Sequence, residues 1–208
     1  MYAHDNYDRV VNNFDITHTQ MNPLETWASS VMSWDASPAN TSIQLLQAGK
    51  LGPYTVKNYR IFKCPADQEP SLAGPRLRSV AMNAFIGDRG TGEAISMNYQ
   101  QFRKLTEFRN PAGIFVFVDE HPDIINDGFF VFCINSDPGN FTAWSDLPSS
   151  LHNGACGFNF ADGHSEIKKW LAASTIRSVR KNGSGFPVTV GSDERDIRWV
   201  SEKSTTKL

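Results

Sequence analysis

The stretch from Leu151 to Trp170 constrains this chain most. Phe158 and Phe160 alternate with Asn159 and Ala161, the period of a half-buried strand. Asp162-Gly163 follows, a strong two-residue hairpin signal, because glycine accepts the positive φ of a primed turn. Ile167 and Lys168 resume the alternation. A β-hairpin across 151–170 is therefore expected, with His152, Asp162 and His164 close together in sequence.

Other strand signals precede it. Arg78 to Ala84 is the first. Ile114-Phe-Val-Phe-Val118 is nearly continuous and apolar, which predicts a central, buried strand. Phe102 to Phe108 and Phe129 to Ile134 read as further strands. Asn22-Pro23 suits a helix start, and Leu24, Trp27, Val31 and Trp34 share one helical face. Thr41 to Ala48 reads as a second helix closed by Gly49. Asp193 to Trp199 fits a last helical turn or an edge segment, and Ser201 to Leu208 a mobile tail. Helices first and an antiparallel meander later predict one α+β domain over residues 1–208. Its parts are a polar lead-in (1–22), helices (23–50), an antiparallel sheet (78–170) and a C-terminal extension (171–208).

Composition excludes some functions. The formal net charge is −2 and no basic run exceeds two residues, which argues against a nucleic-acid partner. No apolar run approaches a membrane span. Fourteen Phe and five Trp can fill a substantial core. Three cysteines cannot all pair internally: Cys133 and Cys156 read as strand fillers and Cys64 sits in a loop before Pro65. No Cys-x-x-Cys is present, which argues against thiol redox catalysis and a structural zinc site. Gly87 to Gly92 lacks the Gly-Lys-Ser/Thr ending of a phosphate loop and reads as a surface loop.

The spacing from His152 to Asp162-Gly163 resembles the His-x9-Asp-Gly signature of prepilin-type, pseudopilin-like proteins of Planctomycetes and Verrucomicrobia. Four more blocks are similar, in the same order: Met1–Asn6, Phe62-Lys-Cys-Pro-Ala-Asp67, Ser79-Val-Ala-Met-Asn83, and Asn110-Pro111 with Ile114 to Glu120. Val80 stands where that family usually has Tyr. The resemblance covers most of residues 1–170. It implies a pilin-like fold, with N-terminal helices packed on an antiparallel sheet. It also implies a non-enzymatic structural subunit of a type II secretion or type IV pilus-like system. The implied partners are other pseudopilins, secretion components, and secreted protein or polysaccharide. The implied place is the periplasmic or extracellular face, anchored in the inner membrane through a hydrophobic N-terminal helix. Tyr2 to Asp8 reads as the polar tail of that helix, which this chain lacks; the alternative is a native start at Met1. In an extracytoplasmic setting one disulfide could form. On this reading His152, Asp162, Gly163 and His164 fix a turn.

Two other functions stay open. Asp119, His121, His152, Asp162 and His164, with Glu120, would make a transition-metal set if the strand ending at Asp119 neighbours the hairpin. A metal-bound water would then serve a hydrolase. Calcium is a second metal candidate, on the oxygen-rich loops carrying Asp123, Asp127 and Asp137. An extracellular carbohydrate-binding module would use Trp144 or Trp199 to stack on sugar. Serine catalysis has no support, since no Gly-x-Ser-x-Gly occurs.

Overall fold

The computed structural model describes residues 2–55, 58–90 and 98–208. Met1 and the last two residues of the Gly87 to Gly92 segment lie outside them. Among the described residues the α-helices are α1 (Tyr2–Asp5), α2 (Ile16–Met21), α3 (Ile43–Ala48) and α4 (Arg195–Ser204). The strands are β1 (Pro70–Ser71), β2 (Gly74–Pro75), β3 (Val80–Asn83), β4 (Phe115–Asp119), β5 (Phe129–Phe130), β6 (Ala143–Trp144), β7 (Ala155–Phe160), β8 (Ser165–Lys169) and β9 (Val188–Thr189).

The centre is a five-stranded sheet in the order β5-β3-β4-β7-β8. β4 lies in its middle because Ile114 to Val118 carries apolar side chains for both faces. One face gathers Ala81, Phe115, Val118, Phe130, Cys156, Phe158 and Phe160 into a core with Trp144, Trp170, Ile197 and Val200. The other face carries Met82, Val80 and Phe117 against Trp27, Leu46 and Phe62.

This architecture corrects the pilin-like, α+β expectation. A sheet, not a helix layer, organises the described residues, and that sheet is mixed, because β5 runs parallel to β3. The N-terminal helices do not cover it. α1 buries no residue, α2 only Thr19 and α3 only Leu46. The helix expected from Pro23 to Trp34 does not form. Thr26 to Ser30 are buried at every position, as in a segment enclosed on all sides, and its backbone bonds outward: Trp27 N–H to Asn12 O (2.9 Å) and Lys50 N–H to Thr26 O (2.8 Å). The helical share of the Phe158 core comes from α4, at the opposite end of the chain.

Smaller differences follow the same logic. Phe102–Phe108 holds a 3-10 turn at Leu105–Glu107 rather than a strand. The tail after Ser201 is ordered: Gln100 N–H donates to Thr206 O at 2.9 Å and Leu208 N–H to Asn98 O at 2.8 Å. The β7–β8 connection is four residues, Ala161 to His164, with positive φ at Gly163 (94°) and not at Asp162. It is therefore not the two-residue primed turn that Asp-Gly suggests.

Candidate functional site

Three segments bring ionisable groups to one point on the Phe117 face of the sheet. Cys64 sits in the turn before Pro65, and its N–H donates to Ser79 Oγ at 2.7 Å. Asp119 ends β4. Its side chain lies over Gly157 of β7, where an added Cβ would sit 3.3 Å from Asp119 Oδ2. His152 precedes β7, and the positive φ of Asn153 (54°) and Gly154 (73°) turns the chain between them. The result is a compact set. His152 Nε2 lies 3.1 Å from Cys64 Sγ and 3.6 Å from Asp119 Oδ2, and all three donor atoms fall within 4.8 Å of one another. Among the described residues no other group of three or more His, Cys, Asp or Glu side chains meets in this way.

Burial dominates the electrostatics here. It raises the Asp119 carboxyl above its ordinary value, against the pull of the neighbouring His152. It also raises the Cys64 thiol; the Asp119 charge adds to the rise and the nearby backbone of Ala66 and Asp67 opposes it. Beside the cluster runs an open apolar groove of about 430 Å³, lined in part by Leu51, Ile61, Phe117, Asp119, Gly157 and Ile167.

The other sequence candidates lie elsewhere. His121 is buried with both ring nitrogens engaged: Nδ1 accepts from Asp123 N–H (3.2 Å), and Nε2 lies 3.2 Å from Arg177 O. Burial lowers its pKa, so it is a neutral structural imidazole. Asp162 and His164 sit at the exposed hairpin tip, beyond the far end of β7 from His152. There Asp162 Oδ1 accepts from His164 N–H (3.1 Å) and lies 2.6 Å from its Nδ1. Asp123 accepts from the N–H groups of Arg180 and Lys181 (2.6 and 2.7 Å), Asp127 from Phe129 N–H (2.8 Å) and Asp137 from Gly139 N–H (2.9 Å). Trp144 is fully buried and presents no ring face to a sugar. Trp199 is half-buried against Phe158, with ring centroids 5.0 Å apart. Glu120 points into the protein, where neither carboxylate oxygen has a hydrogen-bond partner among the described residues.

Cys64 is the member that sequence reasoning missed. All three cysteines are unpaired and buried. A Cys-Pro turn, a strand ending in Asp and a His before the next strand were each visible. Their meeting depends on β4 and β7 being neighbours, which spacing alone does not reveal.

No family model matches this chain, and searches of curated proteins and of solved structures return no match.

Proposed function

We propose that this domain is a non-enzymatic, pseudopilin-like structural subunit of a type II secretion or type IV pilus-like apparatus. It works on the periplasmic or extracellular face, and its parent protein is anchored in the inner membrane. One observation carries the reading. Blocks of the resemblance that are far apart in sequence form a single structural unit. Cys64 N–H donates to Ser79 Oγ (2.7 Å), Ser79 N–H to Phe62 O (3.0 Å), Glu120 N–H to Ser79 O (2.9 Å), and Cys64 Sγ meets His152 Nε2. Motifs that hold one another in place are what a shared scaffold requires. The reading rests on those motifs and not on the architecture, since the sheet is not that of a pilin.

The test is made in the source organism. A photo-crosslinking amino acid is placed at exposed Ile167 or Leu72, and the membrane fraction is probed for adducts. Adducts to like subunits or secretion components are expected, with secreted proteins lost from the medium of a deletion strain. An unchanged set of secreted proteins together with no membrane adduct would overturn the proposal.

A further inference from the structure

We infer that Cys64, Asp119 and His152 form a zinc-binding site that staples the Cys-Pro turn to the ends of β4 and β7. The donor set is thiolate, carboxylate and imidazole, the side chains that zinc takes. In a tetrahedral site with ordinary zinc bond lengths, neighbouring donor atoms stand about 3.4–3.6 Å apart. Here the sulfur–nitrogen separation is 3.1 Å and the nitrogen–oxygen separation 3.6 Å, so an ion enters with small side-chain movements.

A nucleophilic Cys-His-Asp relay does not fit. In a relay the carboxylate orients the ring nitrogen opposite the one facing the nucleophile. Here Cys64 and Asp119 both approach Nε2 of His152, so all three groups aim at one point, as ligands do. A second observation concerns the turn that carries the sulfur. Cys64 N–H donates to Ser79 Oγ at 2.7 Å and Asp67 N–H to Cys64 O at 3.1 Å, which fixes the backbone that presents Cys64 to the other two groups. The site is also reachable, since the His152 side chain keeps 34% of its surface exposed and Asp119 borders the groove.

Loading replaces the Cys64 S–H bond with an S–Zn bond, and the proton leaves to solvent. His152 binds as neutral imidazole through Nε2 and Asp119 as carboxylate. Water completes the fourth position.

The experiment titrates the metal-stripped protein with Co2+ and Zn2+. One equivalent of Co2+ is expected to give a sulfur-to-cobalt charge-transfer band, and Zn2+ to displace it. Cys64→Ser should abolish the band. His152→Gln and Asp119→Asn, checked for native circular dichroism, should weaken Zn2+ binding at least ~100-fold, as loss of a direct ligand exceeds the effect of losing an outer partner. Asp162→Ala/His164→Ala at the hairpin tip should bind normally. No stoichiometric binding, or binding that survives Cys64→Ser and His152→Gln but fails in the hairpin-tip variant, would overturn the assignment.

Discussion

The indole N–H of Trp27 donates to the Gly128 carbonyl at 3.0 Å, joining residues 101 positions apart. The same N–H lies 3.1 Å from Asn13 Oδ1, and Asn13 Nδ2 donates in turn to the Met82 and Asn83 carbonyls. The N-terminal segment is thus tied to the sheet through one ring. Gly128 has no room for a side chain, because an added Cβ would stand 2.5 Å from Trp27 Nε1. Gly128→Ala should lower unfolding free energy by about 1–3 kcal/mol through overpacking. Urea unfolding followed by circular dichroism reads this directly. A variant as stable as the parent would show that the Trp27 ring is free to shift.

Arg78 should matter more than any surface charge. It is fully buried, and its guanidinium donates to the carbonyls of Val80 (2.9 Å), Ser30 (3.2 Å) and Asn126 (3.3 Å). Burial lowers its pKa to about 10, with Glu120 and Asp127 opposing the shift. Removing it takes a donor from all three carbonyls, of which Asn126 O keeps the Met32 N–H, and leaves Glu120 and Asp127 without its charge. Arg78→Met, which keeps the volume, is expected to cost about 3–5 kcal/mol. A loss below 1 kcal/mol in urea unfolding would mean the acids are neutral without it.

Acid should stabilise this protein over much of the usual pH range. Burial pushes Asp127 up to about 7, and it holds Glu120 and Asp146 well above ordinary carboxylates. Asp146 and Asp127 also raise Glu120, while Arg78 and Arg76 pull it down; Asp15 raises Asp127 and Arg78 lowers it. A carboxyl with a raised folded pKa binds a proton in the native state that the unfolded chain has already released. Its contribution is fully present below the unfolded pKa, near 3.8 for Asp127, and is lost as pH rises to about 7. Each such group adds a slope approaching ~1.4 kcal/mol per pH unit inside its window. Unfolding free energy should therefore fall from pH 5 to pH 7, and Asp127→Asn should flatten the fall. A stability rising over that interval would contradict the picture.

Much of the sheet was legible and the N-terminal half was not. β4 and β7 announce themselves through β-branched and aromatic positions whose burial is a local property of the strand, and β8 through the alternation that resumes after Asp162-Gly163. The region from Pro23 to Trp34 misled because Leu24, Trp27, Val31 and Trp34 have helical spacing. That pattern is overridden when Thr26 to Ser30 are buried without alternation and Leu24 is left 59% exposed. The parallel pairing of β5 with β3 has no local signal at all. At the site, Asp119 and His152 come together because a carboxylate at the end of a central strand meets a group that precedes the neighbouring strand. His121, two residues on, would share Asp119's face if the strand continued, but β4 ends at Asp119 and the chain turns at Pro122, leaving the ring bonded to Asp123 N–H and beside Arg177 O. Asp162 and His164 were separated from His152 by the length of β7, six residues or about 20 Å of extended chain.

Asp196 gives the clearest test of how the C-terminal helix is held. Its carboxylate is 1% exposed and accepts from Leu171 N–H (2.9 Å) and Ala172 N–H (2.8 Å), with Lys168 Nζ 4.0 Å away. These bonds join the first turn of α4 to the chain leaving β8, and they close the Phe158–Trp170–Trp199 cluster. Asp196→Ala leaves the buried Ala172 N–H and the part-buried Leu171 N–H without that acceptor, so a loss of about 2–3 kcal/mol is expected. Hydrogen exchange locates the damage. The amides of Leu171 and Ala172 should exchange at least tenfold faster in the variant, while those of β4 keep their relative protection. Unchanged exchange at both positions would mean that Ile197 and Val200, packed into the core, dock α4 without the carboxylate.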